Sequence, residues 1–166
     1  LAAQLAEEAG HLLLEVRASG RYDGAALGEA GDRAANALLV EALRRLRPED
    51  GLLSEEECDD AARLGLSRVW IVDPLDGTRE YAEGRTDWAV HVALAIDGVA
   101  AAGAVALPAL GQLFASDRVH PRAPVPSRPR LLVSRTRPPA EALRVAQALG
   151  GELVPMGSAG AKAMAV

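Results

Sequence analysis

Apolar residues recur at helical spacing through residues 2–18, at Leu5, Leu12, Leu13 and Val16, with charges between them. The same period runs from Glu29 to Arg47 through Leu38, Leu39, Leu43 and Leu46, and Pro48 marks its end. Leu52-Leu53 is too short for a helix and predicts a short strand leading into an acidic cluster. Arg68–Val72 predicts a buried strand bounded by Ser67 and Pro74, and Thr78–Glu83 a helical turn. Two apolar runs, 88–96 and 99–107, flank Asp97-Gly98, a strong hairpin signal. Gln112–Ala115 predicts another strand. Pro121, Pro124, Pro126 and Pro129 then crowd a basic stretch that reads as a linker. Beyond it come a strand (Leu131–Ser134), a helix (Pro139–Leu149), a strand (Glu152–Pro155) and a helix from Ser158. The expectation is an α+β domain over residues 1–127, two helices on a mostly antiparallel sheet. An incomplete α/β unit over 128–166 follows.

Composition narrows the function classes. With 49% apolar residues in 166, the chain can bury a core and is not a disordered segment. A net charge of −5 gives no basic footprint for nucleic acid, and 3% aromatics leave no stacking platform for single strands. Cys58 stands alone, which excludes an internal disulfide and a thiolate metal cluster and fits a reducing cytoplasm. No run reaches the roughly 20 apolar residues of a membrane span, and no signal peptide is visible. The chain opens on Leu1 inside a helical pattern and closes on the apolar Ala163-Met-Ala-Val166, so it reads as a piece of something longer.

The chemistry concentrates in Val69-Trp-Ile-Val-Asp-Pro-Leu-Asp-Gly-Thr78 and, upstream, Leu52-Leu-Ser-Glu-Glu-Glu57. Carboxylates gathered at the ends of apolar runs repel one another unless a cation lies between them, and a hard divalent ion takes such oxygen ligands. Asp73 comes at the end of a strand that Pro74 stops, for want of an N–H. The turn can return Asp76 to the same side and free the Leu75 carbonyl. Gly77 permits close approach of backbone to a ligand, and Thr78 opens a helical turn suited to phosphate. The plain alternatives are an acidic turn with a Thr cap at 73–78 and a solvated face at Glu55–Glu57. Asp32 reads plainly as a dipole partner near a helix start, and Lys162, the sole lysine, as a solvated cation. His91 reads as a partnered core residue; His11 and His120 carry no signal. A haloacid-dehalogenase motif is excluded because its aspartates are two apart, not three, and no P-loop occurs.

Leu-Ser-Glu-Glu followed by Trp-Ile-Val-Asp-Pro-Leu-Asp-Gly-Thr resembles the inositol monophosphatase superfamily of magnesium-dependent, lithium-sensitive phosphatases. Arg79-Glu80-Tyr81, and Gly157-Ser-Ala-Gly-Ala-Lys162, look like its 3'(2'),5'-bisphosphate nucleotidase (CysQ-type) branch. Gly28-Glu-Ala-Gly-Asp32 is similar to the family's early aspartate segment, although Glu29 stands where a threonine is usual. The resemblance implies a layered α/β sandwich and Mg²⁺ as cofactor. It implies Glu55, Asp73 and the Leu75 carbonyl around one ion, with Asp73 bridging to a second ion held by Asp76. Glu56 would stand close by; Asp32 and Thr78 would orient and deprotonate the attacking water. Gly77 and Thr78 amides would grip phosphate, with Ser158 and Lys162 nearer the rest of the substrate.

The implied reaction is hydrolysis of the 3'-phosphate of adenosine 3',5'-bisphosphate to AMP and phosphate, linked to sulfate assimilation. Inositol phosphate and fructose 1,6-bisphosphate are the alternative substrates. The partner is a small phosphorylated molecule, with neither nucleic acid nor a membrane span expected and a homodimer allowed. The family's further aspartate, in a downstream Trp-Asp motif, is not among these residues; Asp87-Trp88 is reversed and upstream. A fragment that binds metal without turnover is therefore the rival expectation.

Overall fold

A computed structural model describes residues 1–120 and 126–166. Two helices, α1 (Ala2–Ala18) and α2 (Gly24–Leu46), lie against one face of a five-stranded sheet in the order β1-β2-β3-β4-β5. Its strands are β1 (Gly51–Ser54), β2 (Arg68–Asp76), β3 (Ala89–Ile96), β4 (Val99–Leu107) and β5 (Gln112–Ala115). Only β1 and β2 run parallel; the other pairs are antiparallel, as an α+β reading requires. A short helix, α3 (Thr78–Ala82), follows β2. Further along the chain come β6 (Arg130–Ser134), α4 (Ala140–Leu149), β7 (Glu152–Met156) and α5 (Ala159–Met164). β6 and β7 form a separate parallel pair, the strand–helix–strand arrangement expected after the linker. The linker itself falls partly outside the described residues: Pro121 and Pro124 are not described, while Pro126 and Pro129 are.

Alternation of side chains builds the core. Trp70 and Val72 of β2, with Val90, Val92 and Leu94 of β3, turn toward the helices and meet Leu5, Leu13, Leu39 and Leu43. Ile71, one step out of phase, is exposed. The other face of β3 begins with Ala89 and His91, and α5 covers it through Ala161. At the hairpin Asp97 and Gly98 have φ of 51° and 76°, the left-handed pair that a two-residue turn between twisted strands demands.

Helix α2 starts at Gly24, five residues ahead of the Glu29 expected from periodicity. Gly28 and Gly31 look like helix breakers, but here they serve packing. A Cβ at Gly28 would stand 2.9 Å from Thr78 Cγ2, and one at Gly31 2.8 Å from Tyr81 Cε1. Their absence lets α3 lie directly on α2. Tyr81 is fully buried there and donates its hydroxyl hydrogen to the Leu13 carbonyl at 2.7 Å. Gly31→Ala is expected to cost about 1–3 kcal/mol through overpacking, read as a lower midpoint in urea. An unchanged midpoint would mean that Tyr81 has room to retreat.

Candidate active site

Strand β2 is longer than its sequence suggested. Pro74 does not end it; pairing resumes at Asp76 after an irregularity. Asp73 pairs with His91 and Asp76 with Ala89, so three residue steps on β2 match two on β3. In a regular strand, residues three apart point to opposite faces. The bulge removes that difference and sets Asp73 and Asp76 side by side, with Pro74 placed where no ladder N–H is needed. Asp73 Oδ1 accepts from the Leu75 N–H at 3.2 Å, which closes the turn locally. The chain then turns through Gly77, at φ 93°, into α3, and Thr78 Oγ1 donates to the Leu75 carbonyl at 3.1 Å.

β1 brings the second acidic device to the same end of the sheet. Ser54 is buried and donates its hydroxyl hydrogen to Asn36 Oδ1 at 2.7 Å, which ties the strand end to α2. Glu57 turns away, accepting from Asn36 Nδ2 at 2.8 Å and pairing with Arg44 at 3.6 Å. Glu55 and Glu56 stay exposed toward the site. α2 supplies Asp32. A cleft of about 640 Å³ brings together Asp32, Glu56, Thr78 and Arg79. A second, of about 830 Å³, joins Glu55, Gly77, Thr78 and Arg79 to Ser134, Arg135, Arg137 and Gly157. Thr78 lines both.

Electrostatics mark this cluster as short of positive charge. Burial, and then the neighbouring Glu56, Asp73 and Glu55, push the Asp32 carboxyl up to about 7, against the lowering effect of the Thr78 hydroxyl. Asp73 is pushed up to about 6 by burial, Asp76 and Glu55. Asp76 behaves oppositely. Burial opposes its charge, but His91, Ser158 Oγ and the Gly160 and Ala159 N–H groups hold its carboxyl well below the usual range. Its Oδ2 accepts from Ser158 Oγ and from Gly160 N, each at 2.6 Å, and Oδ1 accepts from Ala159 N at 3.2 Å.

His91, expected as a partnered core residue, is half-buried, and its partner is Asp76, 3.1 Å from its Nε2. One ligand atom each from Asp73, Asp76 and His91 lies within 4.8 Å of the others, a spacing compatible with one cation. Burial disfavours charge on His91, but Asp76 outweighs it and raises the imidazole pKa. The alternation of β3 puts His91 on the face away from α1 and α2. What the sequence could not show is that α5 covers this face, with Gly160 against the imidazole ring.

Ser158 and Lys162, expected nearer the rest of the substrate, lie at the start of α5 and within it, with their polar groups partnered by neighbouring residues. Ser158 is buried, its hydroxyl spent between Asp76 and the Ala161 N–H it accepts at 2.9 Å. The Lys162 ammonium donates to the carbonyls of Gly157 at 2.6 Å and Ser158 at 2.8 Å, so it braces its own turn. Ser158 therefore ties the start of α5 to Asp76, while Lys162 closes the turn that leads into it. Asp87, noted in sequence only as part of a reversed Asp-Trp pair, is buried, forked by Arg85 at 2.7 and 2.9 Å, and accepts the Gly157 N–H at 2.7 Å.

With this geometry in view, the comparisons are specific. The inositol monophosphatase family profile matches residues 1–148. This chain belongs to the inositol monophosphatase family. A 3'-phosphoadenosine 5'-phosphate phosphatase of Mycobacterium leprae is 54% identical to it, over 100% of this chain and 67% of that protein. The 3'(2'),5'-bisphosphate nucleotidase CysQ of Salmonella typhimurium is 35% identical over 67% of this chain and 48% of its own length. Among solved structures, the family fold recurs in the extragenic suppressor protein suhB of Bartonella henselae. It has a TM-score of 0.73 and 26% identity, covering 95% of this chain and 68% of that one. The chain spans about two thirds of the length of the mycobacterial phosphatases it matches.

Proposed function

We propose that this chain carries the metal-binding half of a phosphatase acting on adenosine 3',5'-bisphosphate, releasing the 3'-phosphate to leave AMP. The observation that carries the reading is the gathering of Asp32, Glu55, Glu56 and Asp73 around Thr78, with Asp32 and Asp73 each pushed up by burial and by neighbouring carboxylates. The name of the relative at 54% identity supports the substrate.

The donor set suits a hard cation such as Mg²⁺. Glu55, Asp73 and the Leu75 carbonyl, whose oxygen has a lone pair beyond the one used by Thr78, are the residues that would hold it. When bound, the ion supplies positive charge that steadies phosphate oxygens and makes a neighbouring water more acidic. Asp76 fits less well as a ligand in this arrangement, because its oxygens already serve several donors. We assign it to fixing the α5 end beside the cleft, with His91 as its positioning partner.

Asp32 is the residue suited to take the proton from the attacking water, since a carboxyl near 7 is half ionised in neutral solution. The Thr78 hydroxyl beside it orients that water, and Glu56 keeps the base basic. Gly77 and Thr78 present backbone to the phosphate without a side chain in the way at Gly77.

The test is phosphate release from adenosine 3',5'-bisphosphate by the purified protein, in Mg²⁺ and in EDTA, and beside inositol 1-phosphate. Mg²⁺-dependent release favouring the nucleotide is expected; equal rates on both substrates would overturn the substrate assignment. Thr78→Ala should lower kcat roughly 10²-fold, the usual size of an acid–base contribution, while Mg²⁺ affinity stays within twofold. Lost Mg²⁺ affinity with normal kcat would reassign Thr78 to a structural cap.

A further inference from the structure

Two aspartates take four successive backbone N–H groups where β7 passes into α5. Gly157 N donates to Asp87 Oδ2 at 2.7 Å, and Ser158 N to the Asp87 carbonyl at 3.2 Å. Ala159 N and Gly160 N donate to Asp76 at 3.2 and 2.6 Å, and the Ser158 hydroxyl adds a third bond to that carboxylate at 2.6 Å. The Gly157 and Ser158 carbonyls go to the Lys162 ammonium. A Cβ at Gly157 would overlap the Glu80 side chain, so the turn lies directly on α3.

The same turn walls the backbone that the sequence marks for phosphate. A Cβ built on Gly77 would stand 3.1 Å from Ser158 Cβ on one side and 3.2 Å from Trp88 Cβ on the other. Gly77 thus runs in a slot between the residue that follows Asp87 and a residue that Asp87 holds. Asp87 is itself anchored. Its two oxygens take the Arg85 fork, and the Arg85 carbonyl receives Arg17 of α1 at 2.9 Å and the Trp88 indole N–H at 3.1 Å. Trp88 is fully buried. Position is therefore passed from the end of α1 through residues 85–88 to the turn, and from the turn to Asp76 and Gly77.

We infer that Asp87 is a positioning residue of the candidate active site, holding the Gly157–Gly160 turn where its N–H groups bind Asp76 and its Ser158 walls Gly77. The effect on turnover rests on the phosphatase reading above; the hold on the turn does not. Asp76 stands close to Asp73 across the bulge, and neighbouring carboxylates repel. Donors arriving from the turn draw the Asp76 charge toward α5 and leave Asp73 to meet a cation. The Asp87 side chain supplies the one bond that reaches Gly157, the first residue of the turn. The Ser158 bond is to backbone and survives substitution, so the side chain can be tested by itself.

The test is amide hydrogen exchange at residues 157–160 in EDTA, run beside melting temperature and kcat for phosphate release from adenosine 3',5'-bisphosphate in Mg²⁺. Asp87→Ala removes the Gly157 acceptor and the Arg85 fork together. Asp87→Asn can keep one oxygen on the Gly157 N–H while losing half of the fork, and Arg85→Gln loses the fork alone. All three should melt lower. Only Asp87→Ala should speed exchange at Ala159 and Gly160, by about tenfold or more, the worth of one bond to a charged group. Its kcat should fall by about the same factor, with Asp87→Asn restoring both to within about threefold. Exchange and kcat that instead follow melting temperature through all three variants would make Asp87 a structural partner of Arg85 and overturn the inference. Unchanged exchange, or unchanged kcat, in Asp87→Ala would overturn it too. Should Asp87→Ala not fold, the other two decide: both should melt lower yet keep protection at Ala159 and Gly160, and loss in either overturns the inference. Exchange as expected with no phosphate release from any form would keep the hold on the turn and remove the phosphatase reading. Phosphate release with exchange unmoved by Asp87→Ala would do the reverse.

Discussion

Asp73→Asn should abolish Mg²⁺-dependent phosphate release and yet raise the melting temperature of the metal-free protein. The two effects have one cause. Asp73 lies half-buried at the centre of the acidic group, with its carboxyl pushed up to about 6 by burial, Asp76 and Glu55. At neutral pH the fold therefore holds a charge that its surroundings disfavour, and only a cation makes that charge useful. Asparagine keeps the oxygen that accepts the Leu75 N–H, so the turn after the bulge persists. It removes the charge around which the ion would be held, and loss of that charge stabilisation, about 4 kcal/mol, corresponds to roughly a thousandfold in rate. Phosphate release and thermal melts in EDTA, measured on the same preparation, check both halves. A variant that melts lower and remains active would mean that Asp73 is a structural acid and that the cation, if any, lies elsewhere.

Much of this architecture is legible from residues alone, because most elements obey one period. The hairpin at Asp97-Gly98 and the alternation through Val90, Val92 and Leu94 needed no tertiary knowledge. What escaped was decided by close approach between distant segments. The first turn of α2, Gly24 to Gly28, lies ahead of the first residue that the apolar period marks, and Gly28 serves there by admitting Thr78. Pro74 read as the end of β2, whereas the strand absorbs it in a bulge and continues. Within the site, Asp32, Glu55, Glu56, Asp73 and Thr78 stood out through their motifs, and the fold gathers them. The roles of His91, Ser158, Lys162 and Asp87 were not legible. Each depends on α5 returning to β3, a contact spanning more than eighty residues from Asp76 to Gly160 with no local signature.

The same charge imbalance sets how the protein should respond to pH. For Asp32 and Asp73 the folded-state values, about 7 and about 6, exceed the ordinary aspartate value of 3.8, so between these limits the folded state holds more protons than the unfolded one. Stability then falls as pH rises. The contribution is greatest below the unfolded value and is lost as pH passes the folded values. His91, whose pKa is raised by Asp76, adds a loss of the same sign through neutral pH. Asp76 and Asp87, held low by their donors, act in the opposite sense but in acid, where protonating them removes bonds that anchor the α5 end. A divalent ion needs the carboxylates ionised and displaces their protons, so its affinity must climb over the window in which the metal-free fold weakens. Melting curves at pH 5, 6, 7 and 8, in EDTA and in Mg²⁺, should therefore diverge with rising pH: the EDTA series falls, and the gain from Mg²⁺ widens. Asp32→Asn should flatten the EDTA series between pH 6 and 8. Because burial and carboxylate repulsion act together on Asp32, its removal also tests their balance. If the gain from Mg²⁺ is constant across the series, the ion does not meet Asp73, and the proposed centre is wrong.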